Sequence, residues 1–95
     1  MEGTTAESEL IIVNTLGLHA RPAAKLVQTA LPFKSDIYIR LNSHRVNAKS
    51  IMGLLTLAAA QGSRLQVTCT GPDAEQALEA IRALVDSGFG EETWK

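Results

Sequence analysis

The chain is 95 residues long, with 45% hydrophobic residues, 20% charged residues and a formal net charge of −1. That length makes one small domain able to bury a modest core without metal or disulfide staples, and the near-neutral balance carries no electrostatic footprint for nucleic acid or an anionic membrane. Cys69 has no second cysteine to pair with, no apolar run approaches a membrane span, and the polar, acidic start lacks the features of a signal peptide, so a soluble cytoplasmic protein without membrane insertion is expected.

Residues 1–8 read as a flexible lead-in, and the folded domain is expected over residues 9–91. Leu10-Ile11-Ile12-Val13 is apolar and β-branched, a strand more buried than exposed. Asn14 to Gly17 is a turn. From Pro22 to Leu31, apolar residues at 23, 26, 27, 30 and 31 form the stripe of an amphipathic helix, stopped by Pro32. Ile37, Ile39 and Leu41 alternate with Tyr38 and Arg40, a strand with one buried face. Asn42-Ser43 is a two-residue turn, Arg45 to Ala48 the return strand, and His44 an exposed turn residue without a role.

Ser50 caps a short helix expected from Ile51 to about Ala59. Leu65, Val67 and Cys69 alternate with polar residues in a further strand, which buries Cys69 as a small core residue. Gly71-Pro72-Asp73 turns into a last helix with apolar residues at 74, 77, 78, 81, 84 and 85, closed by Gly88. Residues 92–95, with Trp94, read as a tail. The order β-α-β-β-α-β-α predicts an α+β domain whose three helices cover one face of a sheet.

His19 stands between the first strand and the first helix. Pro22 marks the first helical turn, because the amide hydrogen it lacks would have no partner there. The backbone donors of Ala20 and Arg21 and the positive helix end then form a seat for an anion. That field opposes a second positive charge, which favours a neutral, nucleophilic imidazole. Arg21 adds a planar donor fork suited to phosphate oxygens. The pattern points to a histidine that accepts a phosphoryl group.

The run Gly17-Leu18-His19-Ala20-Arg21-Pro22-Ala23 resembles the active-site segment of the HPr family, the histidine-containing phosphocarriers of the phosphoenolpyruvate-dependent sugar phosphotransferase system. Lys49-Ser50-Ile51-Met52-Gly53 and Ser87-Gly88-Phe89-Gly90-Glu91 extend the resemblance across residues 9–91. It implies an open-faced β-sandwich, with a four-stranded antiparallel sheet carrying three helices on one face. It implies phosphorylation of His19 on Nδ1, with Arg21 assisting transfer. The partners implied are enzyme I as donor and IIA proteins as acceptors, for sugar uptake, with a stoichiometric carrier rather than an enzyme and with no cofactor or metal. The matching serine, Ser50, is in many bacteria the target of a regulatory kinase, the HPr kinase/phosphorylase.

The helix after Ser50 is apolar almost all round, so Ile51, Met52 and Leu55 are expected to remain exposed as a docking patch. Ala20 and Ala24 would let a partner approach closely, Lys49 would add a basic rim, and a monomer is expected. Leu16 departs from the family, several of whose members carry a small polar residue there. An alternative is the nitrogen-related branch, whose members often have alanine where this chain has Pro22. A free-standing hydrolase would need a second catalytic group near His19, and none has suitable spacing. An RNA-binding sheet would need more strand aromatics than Tyr38.

Overall fold

The computed structural model describes residues 4–93. In chain order these form β1 (Thr4–Ile11), α1 (Ala20–Ala30), β2 (Asp36–Leu41), β3 (His44–Asn47), α2 (Ile51–Thr56), β4 (Arg64–Gly71), α3 (Ala74–Asp86) and a 3₁₀ turn, Gly88–Gly90. The strands make one sheet in the order β1-β4-β2-β3, and every neighbouring pair is antiparallel. This is the expected α+β sandwich.

Register decides which face is buried. Leu10 lies opposite Leu65, Ile37 opposite Cys69, and Ile39 opposite both Val46 and Val67. Directly opposed residues project to the same side, so these apolar side chains form one buried surface. Against it α1 buries Pro22, Ala23, Leu26, Val27 and Ala30, and α3 buries Ala74, Ala77, Leu78, Ile81 and Val85. Tyr38, Arg40, Gln66 and Thr68 stay on the open face, where the Arg45 guanidinium stacks 3.7 Å from the centre of the Tyr38 ring.

Several boundaries differ from expectation. Residues 4–8 are not a lead-in: they pair with β4, from Thr4 opposite Gly71 to Ser8 opposite Val67. Ile12 is buried but lies past the end of β1, exchanging backbone hydrogen bonds with Gly62 and Ser63. The first helix begins two residues before Pro22, which still falls within the first turn. The second ends at Thr56, not Ala59, because the Leu57 amide tightens onto Leu54 and Leu55 and Ala58 takes φ 50°. His44 belongs to β3, and its Nε2 lies 2.8 Å from Thr56 Oγ1. The tail expected at 92–95 is in part tied down: the Thr15 amide donates to Glu92 O at 2.8 Å and Asn14 bridges to Thr93. Trp94 lies outside the described residues. Among the described residues no helix is long and apolar enough to cross a membrane.

Candidate functional site

The chain leaves β1 and turns sharply at Gly17, whose φ is 72°. A Cβ there would lie 2.5 Å from the Ala59 carbonyl oxygen, so this approach admits only glycine. The Leu18 amide donates to that same oxygen at 2.8 Å, and the buried Leu18 side chain anchors the loop. His19 follows as the N-cap residue of α1, with extended backbone and no side-chain capping bond. Its carbonyl accepts the first helical bond, from Ala23 at 3.0 Å. The amides of Ala20 and Arg21 precede that bond, and no acidic residue sits in the first turn. Among the described residues nothing accepts from these two amides, so two donors and the positive helix end stand beside the imidazole.

The other wall comes from the far end of the chain. Gly88, Phe89 and Gly90 all take positive φ, at 69°, 58° and 74°. Phe89 is buried in the core, and its carbonyl accepts from Lys25 Nζ at 2.7 Å. This turn delivers Glu91, whose Oε1 lies 3.0 Å from His19 Nε2 and 3.1 Å from Asn14 Nδ2. Asn14, fully buried, spends its second N–H on the Gly17 carbonyl at 2.7 Å.

Burial pulls the Glu91 carboxyl upward, but hydrogen bonds from His19 and Asn14 and the electrostatic pull of His19 and Arg21 outweigh it. The group is held below the ordinary glutamate value. An ionised carboxylate only accepts, so Nε2 carries the hydrogen, and in the neutral ring it is Nδ1 that holds the free lone pair. The ring side chain is 38% exposed, so the imidazole is open to solvent.

An open cavity of about 490 Å³ is lined by His19, Arg21, Glu91 and Glu92 among others. A second, of about 340 Å³, joins His19 to Leu16, Leu55 and the Ala58–Ala60 segment. The imidazole thus stands between a charged cleft and an apolar surface. Arg21 is exposed and makes no hydrogen bond among the described residues, leaving its guanidinium available in the cleft.

Of the other predicted residues, Ala20 is exposed and Ala24 partly buried. Ile51, Met52 and Leu55 are exposed at 40%, 75% and 38%, and Leu16 joins them at 74%. Ser50 caps α2, its Oγ accepting from the Gly53 amide at 3.0 Å. Lys49 Nζ is engaged by the Phe33 carbonyl at 2.7 Å. Ser50 and Lys49 line neither cavity beside His19. Neither Glu91 nor Asn14 is among the residues expected at the site from the sequence. A lone polar residue closing an apolar strand was the available signal for Asn14; only the Gly-Phe-Gly turn hinted at Glu91.

Comparison with known proteins places this geometry. The family model described as the PTS HPr component phosphorylation site matches residues 6–87, stopping short of Glu91. Phosphocarrier protein HPr from Xylella fastidiosa (strain 9a5c) is 47% identical over 87 residues, covering 92% of this chain and 98% of that one. HPr from Neisseria meningitidis serogroup A is 48% identical over 80 residues, 84% of this chain and 90% of that one. The crystal structure of HPr-C-His from Thermoanaerobacter tengcongensis superposes with a TM-score of 0.88 at 46% identity, covering 92% of this chain and 98% of that one. A histidine at a helix start, on a four-stranded sheet matched over nearly its whole length, makes this chain a member of the HPr family of phosphotransferase-system phosphocarriers.

Proposed function

We propose that His19 accepts a phosphoryl group on Nδ1 from phospho-enzyme I and passes it to IIA proteins of a cytoplasmic sugar-uptake system. The observation that carries this reading is the pairing of Nε2 with Glu91, which leaves Nδ1 as the free nucleophile beside the unpaired first-turn amides. The Ala20 and Arg21 amides and the Arg21 guanidinium hold the phosphoryl oxygens, already oriented before the group arrives. The chain changes no small molecule; it carries one group and returns to its starting state.

Leu16, Ile51, Met52 and Leu55 form the docking surface for both partners: all four stay exposed, and Leu16 and Leu55 line the cavity beside the ring. Ala20 and Ala24 keep the approach low. Lys49, held by Phe33 O, contributes charge at the rim. Ser50 adjoins this patch in sequence, so a kinase adding a phosphate there would set negative charge at its edge without melting α2, whose N-terminus favours anions.

The test is incubation with enzyme I and phosphoenolpyruvate, followed by intact-mass analysis. One phosphoryl group is expected on the unaltered chain and none on His19→Ala. An unchanged mass, or addition that survives the substitution, removes the reading.

A further inference from the structure

Asn14 is fully buried in a loop, and its Oδ1 has no hydrogen-bond partner among the described residues. Leaving such an atom unsatisfied costs stability. Its amide nitrogen is fully used, bridging the Gly17 carbonyl just before His19 and the Glu91 carboxylate that His19 Nε2 touches. The segment bearing Glu91 is pinned at three further points: Phe89 in the core, Lys25 Nζ on the Phe89 carbonyl, and the Thr15 amide on Glu92 O. So many ties on one short turn place a carboxylate at one ring nitrogen.

We propose that Glu91, held by Asn14, keeps the proton on His19 Nε2 through both phosphoryl transfers. Both are positioning residues for the carrier chemistry, and the inference rests on the phosphocarrier reading above. In acceptance, the Nδ1 lone pair forms the new N–P bond while the bond between phosphorus and the donor's own carrier group breaks, its electron pair returning to the donor. With Nε2–H retained, the phosphorylated ring of His19 is cationic and faces the carboxylate. In donation the Nδ1–P bond breaks, the electron pair returns to Nδ1, and a neutral imidazole departs. No proton enters or leaves in either step. Had Nε2 lost its proton, the departing group would be an imidazolate anion, a far poorer leaving group.

The other charged groups around the ring are few. Arg21 from α1 and Glu92 from the closing segment line the same cleft, and Lys25 is spent on the Phe89 carbonyl. Among the described residues, the cavity on the α2 side of the ring is lined by apolar groups, Leu55 and Ala58 to Ala60 with Leu16 and Leu18. Glu91 is the acceptor in contact with Nε2.

The test compares the unaltered chain with Glu91→Gln and Asn14→Ala. Nitrogen-15 NMR of the His19 ring reads the tautomer, and rapid-quench kinetics read acceptance from phospho-enzyme I and donation to a IIA protein separately. For Glu91→Gln the Nε2–H signature weakens. Donation falls about tenfold near pH 8 while acceptance changes less, and near pH 6, where solvent supplies the proton, donation returns toward the unaltered rate. A loss of fold alone would not be restored by acid. Asn14→Ala shows the same pH-dependent loss in smaller measure. A Glu91→Gln chain with unaltered tautomer and pH profile overturns the proposal, and a fully active Asn14→Ala overturns the part given to Asn14. Failure of the unaltered chain to take a phosphoryl group is a different outcome, which sinks the phosphocarrier reading itself.

Discussion

Gly17 lies so close to Ala59 that a side-chain carbon on the glycine would sit 2.5 Å from the alanine carbonyl oxygen. The contact joins the loop that ends in His19 to the segment leaving α2, and so sets how the charged cleft meets the apolar surface. Gly17→Ala meets both that clash and the strain of φ 72°. The expected loss is about 2 to 4 kcal/mol, with phosphoryl acceptance slowed because the relief must come from movement of the His19 loop. Urea unfolding checks the stability; a midpoint within error of the unaltered chain would show that the loop yields freely.

Asp73 is the residue before α3, yet its carboxylate makes no capping bond. It accepts instead from Ser35 Oγ at 2.6 Å, from the Ser35 amide at 2.9 Å and from the Lys34 amide at 2.9 Å. The Ser35 hydroxyl and the Lys34 amide hold the group below the ordinary aspartate value. A carboxyl depressed by folding adds stability above its unfolded pKa and loses it as pH falls through the folded one. Asp73→Ala is therefore expected to be less stable than the unaltered chain at neutral pH, with the gap closing in acid below both values. Denaturant midpoints measured across that range decide it; a gap independent of pH would mean the carboxylate charge contributes nothing.

The contrast between these two places explains what the sequence could reveal. β2, β4 and α3 were legible because their apolar residues repeat at the period of one buried face, as at Leu65, Val67 and Cys69. The first half of β1 was not, because Thr4 to Ser8 occupy a sheet edge and bury little. The end of α2 turns on Ala58 at positive φ, a conformation that nothing local to an alanine announces. His19, Arg21 and the Ser50 cap could be read from neighbours a few residues away. Glu91 meets His19 across 72 positions, and Asn14 across 77, contacts created only when the chain closes.

Ser50 carries two separable properties. Its Oγ accepts from the Gly53 amide, so Ser50→Ala is expected to cost about 1 kcal/mol in thermal or urea unfolding while leaving phosphoryl acceptance at His19 intact. Ser50→Asp keeps an N-cap acceptor and complements the helix end, so its stability stays within about 0.5 kcal/mol. The added charge beside Ile51 and Met52 is expected to weaken binding to enzyme I by several-fold, read by titration calorimetry. Equal affinities for the two variants would separate this serine from the docking surface.

Met52 tests that surface most directly, because its side chain is 75% exposed while Leu54 and Leu57 of the same segment face the core. Truncating or charging so exposed a residue disturbs little packing, so Met52→Asp is expected to unfold within about 0.5 kcal/mol of the unaltered chain. It nevertheless puts a desolvation cost at the centre of an apolar contact. Transfer both from enzyme I and to a IIA protein is expected to slow tenfold or more at sub-saturating partner, with the rate at saturation changing less, because the defect lies in docking and not at the ring. Leu31, exposed at 57% but at the opposite end of α1 from His19, supplies the control: Leu31→Asp should leave both transfers unchanged. If the two substitutions slow transfer equally, the effect follows from added negative charge anywhere on the molecule, and the patch around Leu16, Ile51, Met52 and Leu55 has no special claim as the docking site.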